Sequence, residues 1–390
     1  MFKPAGIFLC GALVLLAGCA TSPNEPLPTD WSGTNEIIQS PNPPPFQAIA
    51  PAIKTNLPPV TGSNSPSVTN YVRPRGTPVF TWTSLNRWAV ENKIGQPHLL
   101  AQSPFTTYAI NSGRGVMVLG IGSREATWNG LTLHLGFAPE FIDGNVFLHE
   151  LDLQKNLEPL LCEAPLTFGS NRVIVLDPGH GGINGGTTSV LDKRPEKEFT
   201  LDWARRLKPL LEQEGWRVFL TRTNDVDVAL SNRVALAESR HADLFISLHF
   251  NSLAPDQKPA GLGTLCLTPT GMPSTITRDY PDVLNQNFPN NSYDTQNLQL
   301  AEHLHRTLLH ATGLEDRGIS HARFIGVLRG QHRPSVLIEA GFLSNPREAK
   351  RIEDPEFRQK LAEGVADALR PGEDGRLRIE DRTSQAKIMK

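Results

Sequence analysis

The sequence predicts an α/β fold: a mostly parallel sheet with helices on both faces, preceded by a small α+β domain. Three observations predict it. From residue 171 onward, apolar β-branched runs alternate with segments of helical period. The runs Val173-Ile174-Val175-Leu176, Leu244-Phe245-Ile246 and Val336-Leu337-Ile338 are continuously apolar, as strands buried on both faces require. Each run then delivers a polar side chain at its carboxyl end, His180 through a glycine turn, His249 and Glu339. In an open α/β sheet that edge is where sites are built.

At 390 residues, 39% of them hydrophobic and 20% charged, the chain can bury one sizeable core and a second, smaller unit. The net charge of -2, with no long basic run, leaves no footprint for a polyphosphate backbone, so nucleic acid is excluded as a partner.

Taken in order, residues 1–19 read as a lipoprotein signal peptide. Lys3 is a short positive region, and residues 7–16 are apolar but too few to span a bilayer. Leu16-Ala17-Gly18-Cys19 resembles the lipobox of bacterial lipoproteins, which implies export and a lipid on Cys19 that ties the protein to a membrane. Ala20 resembles the outer-membrane sorting pattern, so the expected location is periplasmic and anchored to the outer membrane. Residues 20–76 are dense in Pro, Ser, Asn and Thr and cannot bury enough surface to fold. As a tether they would reach roughly 40 Å.

Residues 77–161 read as a small β-rich domain. A helix is expected over 84–93, from Leu85, Trp88 and Ala89, followed by strands over 107–110, 116–121, 131–135 and 146–151. Asn129-Gly130 is a hairpin turn signal. The element order, with Thr127-Trp128-Asn129-Gly130 and Asp143-Gly144-Asn145-Val146, resembles the copper amine oxidase-like N-terminal domain, which implies a binding or spacer role and no copper site. Residues 171–370 form the expected catalytic domain. It has strands at 216–221, 244–250, 262–267 and 335–341 besides the first. Helices are expected over 199–215, broken or bent at Pro209, and over 227–241, 298–313 and 355–369. A Pro- and Asn-rich insertion occupies 268–295, and 371–390 reads as a solvated tail. Cys162 and Cys266 are expected to stay unpaired.

Catalytic zinc takes three protein ligands of the histidine and carboxylate type and lowers the pKa of water to about 7. His180, His249 and a carboxylate would supply such a set. Glu196 is the candidate carboxylate because it opens the helix after the His180 loop. Four motifs carry a family resemblance: Asp177-Pro178-Gly179-His180-Gly181-Gly182, Glu196-Lys197-Glu198, Ser247-Leu248-His249-Phe250-Asn251, and Val336-Leu337-Ile338-Glu339-Ala340-Gly341-Phe342. In this order they resemble the zinc-dependent N-acetylmuramoyl-L-alanine amidases (amidase type 3), over about residues 172–369. The resemblance implies a phosphorylase/hydrolase-like sheet and one Zn2+ held by His180, Glu196 and His249, with Glu339 as acid/base. It implies hydrolysis of the amide between N-acetylmuramic acid and L-alanine, with peptidoglycan as the partner. Three positions depart from the family pattern: Pro195 before the proposed ligand, Glu198 where Asp or Asn is common, and Phe250, whose bulk would narrow the site.

The alternative readings are a zinc carboxypeptidase-like peptidase and a non-catalytic wall-binding lipoprotein. Protein activators have no support in the sequence. Asp177 is a candidate to orient His180 or simply to form the turn. Arg233, Arg317 and Arg329 could meet stem-peptide carboxylates or pair with surface acids, and the sequence leaves both open. His134, His149, His303 and His310 read as core or solvated side chains. His241, His321 and His332 flank the relevant strands.

Overall fold

In the computed structural model the described residues are 81–372, apart from 104, 169–171 and 277–281. The expected signal peptide, Cys19, the 20–76 tether and nearly all of the 371–390 tail lie outside the described residues. The chain enters β1 (Trp82–Ser84) and α1 (Leu85–Glu91), then strands β2 (His98–Ala101), β3 (Thr107–Ser112), β4 (Gly115–Gly120), β5 (Glu125–Trp128), β6 (Leu131–His134), β7 (Glu140–Ile142) and β8 (Asn145–His149). Asn129 and Gly130 both have positive φ, 48° and 80°, and join β5 to β6 in the expected two-residue hairpin.

The strand expected over 146–151 stops at His149, whose ring accepts from Leu151 N at 3.2 Å and so caps a helical segment. That segment is α2 (Glu150–Asp152), a π turn (Leu153–Leu157) and α3 (Glu158–Leu161).

The following elements are β9 (Val173–Pro178), α4 (Glu196–Gln213), β10 (Arg217–Leu220), α5 (Leu230–Ser239), β11 (Leu244–Asn251) and β12 (Leu262–Cys266). A 3-10 turn (Pro289–Tyr293) leads into α6 (Asp294–Thr312), β13 (Asp316–His321), α7 (Gly326–Arg329), β14 (Ser335–Phe342), α8 (Pro346–Glu353) and α9 (Pro355–Ala368). Helix α4 is not broken at Pro209, which lies inside it. Its stripe Phe199, Trp203, Leu207 and Leu211 is buried on both sides of the proline, and that packing outweighs the lost backbone hydrogen bond.

The large sheet has the order β10-β9-β11-β14-β12-β13-β6-β5-β4-β3-β2. It is mixed, which corrects the mostly parallel expectation. Strands β10, β9, β11 and β14 are parallel, but β12 is antiparallel to β14, and β2 to β6 form an antiparallel meander. The reason is connection length. Residues 252–261 between β11 and β12 contain no helix, and so short a link reverses the chain where a parallel neighbour would need a helical crossover. Strand β6 joins β13 through the pair Ile319↔Leu133, so one sheet continues from the amino-terminal meander into the α/β segment.

Side chains alternate across the central strands. Ile174, Leu176, Ile246, Leu248 and Phe250 pack toward α4, α6 and α9, while Val173, Val175, Phe245 and Leu337 pack with Ala237 of α5 and Val327 and Leu328 of α7. The two-sided burial is why these strands show no polar alternation. Cys162 is exposed, Cys266 is buried, and neither is in a disulfide. Among the described residues, no helix is long and apolar enough to cross a membrane.

A candidate metal centre

Register builds the site. Parallel pairing sets Ser247 of β11 beside Asp177 of β9, and His249 of β11 beside Glu339 of β14. With the strand period of two, all four residues fall on the α5/α7 side at the carboxyl ends of adjacent strands. His180 follows β9 by two residues, with φ 63°, and Glu196 is the first residue of α4, where a carboxylate suits the positive end of the helix dipole. The loop between them folds back through Glu196 N to Thr187 O at 2.8 Å and Lys197 N to Gly185 O at 3.1 Å.

These elements bring His180, Glu196 and His249 together. All three are buried, and one ligand atom from each lies within 4.8 Å of the others, so the group could hold a metal ion. Glu196 is the hub. Its Oε2 is 3.0 Å from His180 Nε2 and its Oε1 is 2.9 Å from His249 Nδ1. Ligand atoms about 2.0–2.2 Å from a tetrahedral zinc stand roughly 3.4 Å apart, so each Glu196–histidine pair would need to open by about 0.5 Å. Thr187 N and Phe250 N also donate to this carboxylate, at 3.2 and 3.0 Å. Glu198, two residues on, is exposed.

Two glycines make room. A Cβ at Gly179 would lie 2.5 Å from His249 Nε2, and one at Gly186 would lie 2.5 Å from Glu196 Oε2 and 2.6 Å from His180 Cδ2. Gly186 also has φ 70°, a backbone region costly for any other residue.

The electrostatics follow from burial and pairing. Burial opposes the Glu196 charge, but His180 and His249 together hold its carboxyl well below the ordinary range. For His180 the same burial lowers basicity, and the facing Glu196 more than restores it, so its pKa is raised. His249 is lowered, because burial, with His180 nearby, outweighs its bond to Glu196. Glu339 is pushed well up, by burial first and then by the Glu196 charge. Its Oε2 is buried and receives no hydrogen bond. A buried carboxylate oxygen without a donor, next to a His, Glu and His set, fits a cation or a polar substrate atom completing the site.

The histidines are braced from outside. His180 Nδ1 meets Asn184 Oδ1 at 2.9 Å, and Arg233 Nη2 donates to His180 O at 2.9 Å. Asn184 carried no signal in the sequence beyond lying four residues after His180, and it reaches back because His180 takes a left-handed conformation. His249 Nε2 is 3.1 Å from Ser247 Oγ. Asp177 has no hydrogen bond to the His180 ring. It receives Ser247 Oγ, Thr221 Oγ1 and Arg233 Nη1 at 2.7, 2.6 and 2.6 Å. Burial alone would raise its pKa, and Arg233 with these hydroxyls brings it below the ordinary value.

Other candidates lie elsewhere. Phe250 turns to the opposite face, 5.6 Å from the Trp203 ring and 6.3 Å from Phe199, so it fills the core and does not narrow the site. Arg233 is buried in the Asp177 ion pair, Arg317 lies over the Phe342 ring, and Arg329 lies over Phe288 and donates to Arg323 O. His321 is buried against Asn156, His332 is an exposed neighbour of Glu238, and His241 is exposed at the end of α5. Arg222, two residues after β10, ties Pro178 O, Gly179 O and Lys197 O together beneath the His180 turn.

Residues 174–371 match a family model described as N-acetylmuramoyl-L-alanine amidase. The chain is 32% identical over 238 residues to the N-acetylmuramoyl-L-alanine amidase AmiC of Escherichia coli, covering 55% of this chain and 56% of that protein. It is 31% identical over 222 residues to AmiA of Escherichia coli, covering 52% of this chain and 76% of AmiA. The chain thus spans little more than half the length of that AmiC. The solved catalytic domain of CwlV from Bacillus (Paenibacillus) polymyxa var. colistinus aligns at 31% identity, over 50% of this chain and 94% of that one, with a TM-score of 0.41.

Proposed function

Because the chain belongs to the N-acetylmuramoyl-L-alanine amidase family, we propose that it hydrolyses the amide joining N-acetylmuramic acid to L-alanine in peptidoglycan. His180, Glu196 and His249 hold one zinc ion in this reading, and Glu339 is the acid/base. The observation that carries it is the set of three buried ligand atoms within 4.8 Å, with the donor-less Glu339 Oε2 on the neighbouring strand. Bound zinc supplies Lewis acidity, which lowers the pKa of water and polarises a carbonyl. Glu339 Oε2 accepts the proton as water oxygen bonds to the amide carbon. As the carbon–nitrogen bond breaks, Glu339 returns the proton to the departing L-alanine nitrogen. Asn184 and Ser247 keep the two imidazoles oriented throughout.

The same reading makes the protein an exported, periplasmic lipoprotein with a lipid on Cys19, supported by residues 16–19 alone. Residues 77–161 serve as a copper amine oxidase-like N-terminal domain that binds or spaces, and 171–370 as the catalytic domain. Digestion of purified sacculi with and without a chelator, followed by mass analysis, tests the activity. New L-alanine amino termini and bare muramic acid are expected only without chelator. Release of amino acids from stem-peptide carboxyl ends would point to a carboxypeptidase instead. No product from zinc-loaded protein would leave a wall-binding lipoprotein.

A further inference from the structure

Asp177 and Ser247 order the hydrogens beneath His249. Ser247 Oγ lies 2.7 Å from Asp177 Oδ2 and 3.1 Å from His249 Nε2, all of it buried. Asp177 is ion-paired with Arg233 at 2.6 Å, and a carboxylate has no hydrogen to give. The single hydroxyl hydrogen of Ser247 therefore goes to Asp177 Oδ2. Ser247 Oγ then meets the ring as an acceptor, and His249 Nε2 carries a hydrogen. Nδ1 faces the Glu196 carboxylate at 2.9 Å, so it is the nitrogen whose hydrogen a bound cation would replace, leaving Nε2–H toward Ser247 and the Nδ1 lone pair toward the metal.

We propose that Ser247 is a positioning residue: with Asp177 it fixes His249 as the Nε2–H tautomer and so presents Nδ1 to the metal. The inference rests on the metal reading given above. The far end of the relay is anchored by the ion pair of Arg233 with the other oxygen of Asp177, to which Thr221 adds a hydroxyl. Arg233 also donates to His180 O, so one carboxylate supports both histidine ligands, His249 through a hydroxyl and His180 through a guanidinium. Ser247 and His249 are two apart on one strand, hence on one face, and the β9/β11 register supplies the carboxylate beside them.

The experiment is zinc competition against a chromophoric chelator on the full chain. It compares wild type with Ser247→Ala, Ser247→Cys and Thr221→Ala, with melting temperatures and proton–nitrogen correlation spectra of zinc-loaded histidine rings. Ser247→Ala is expected to weaken zinc binding about 10- to 100-fold and to expose the His249 Nε2–H to rapid solvent exchange. Thr221→Ala removes a different hydroxyl from the same carboxylate, and should bind zinc within about threefold of wild type with the Nε2–H still protected. Ser247→Cys, a similarly sized side chain and a poorer acceptor, should fall between, and it carries the comparison if Ser247→Ala does not fold. A protected Nε2–H and near-wild-type affinity in Ser247→Ala would overturn the proposal. Equal losses in Ser247→Ala and Thr221→Ala would overturn it too, by tracing the effect to Asp177 alone. Wild type that takes up no zinc would instead sink the metal reading itself, and the relay with it.

Discussion

Three alanine substitutions at glycine separate backbone strain from crowding at the candidate metal centre. At Gly130, in the β5–β6 hairpin, φ is 80° and a Cβ would meet nothing within 4 Å. Gly130→Ala therefore costs only the left-handed conformation, about 1 kcal/mol of stability, and should leave zinc affinity alone. At Gly179 the case is reversed. Its φ is not in the left-handed region, but its new Cβ would lie 2.5 Å from His249 Nε2. Ordinary contact begins at 3.4 Å, so the ring must move by about 1 Å, several times the ~0.2 Å latitude of a metal–ligand distance. The ring cannot give easily, because Glu196 and Ser247 hold it at 2.9 and 3.1 Å on its two sides. Zinc affinity should fall by about 100-fold, near 3 kcal/mol. Gly186→Ala combines both effects, with φ 70° and a Cβ 2.5 Å from Glu196 Oε2, and should lose about 1 kcal/mol of apo-protein stability as well as affinity. Thermal melts of apo protein and zinc competition measure the two quantities separately. Wild-type zinc affinity in Gly179→Ala would refute the reasoning, because it would mean that His249 is no ligand or that its position is not confined.

Other outcomes follow from the same geometry. Glu339→Gln keeps the shape and removes the proton acceptor, so zinc uptake should persist while turnover falls by about 10²–10⁴-fold, and an active zinc-replete variant would overturn the role. Chelation should abolish release of L-alanine amino termini from sacculi, and added zinc should restore it. Stability should also depend on His321, whose pKa burial pushes down to about 4. The unfolded chain takes up that proton near pH 6.5, so its contribution is whole above pH 6.5 and is lost toward pH 4, the loss amounting to about 2 kcal/mol by pH 5. Asp152, pushed up to about 6 by burial, acts in the opposite sense and offsets about 1 kcal/mol of this. The diagnostic is therefore the difference between His321→Gln and wild type in urea unfolding at pH 7.5 and pH 5. Equal pH dependence in the two would remove His321 from the account.

Much of the α/β segment was readable before any coordinates. Strands β9, β11 and β14 announce themselves because burial on both faces makes them mostly apolar, and His180, His249 and Glu339 stand out at or just beyond their carboxyl ends. Short elements were not readable. Strands β2 and β7 and the α2 turn are only a few residues long, too short for a period to emerge, and their pairing comes from neighbours. Pro209 does not end α4, since a breaker signal is local while the apolar stripe that keeps α4 whole is answered by the sheet. Phe250 was misplaced for a similar reason. Its neighbour His249 faces the site, and strand alternation sends Phe250 to the other side.

Local chemistry was thus enough to single out His180, Glu196, His249 and Glu339 and the strands that end beside them, because side-chain type and period are properties of a few adjacent residues. It could not say that β12 runs against β14, or that Asp177 serves His249 through Ser247 while reaching His180 only through Arg233. Those facts depend on which strands become neighbours and in what register. Register is settled when side chains as much as 70 positions apart, such as Asp177 and Ser247, pack onto one face and leave each buried donor a single acceptor within reach.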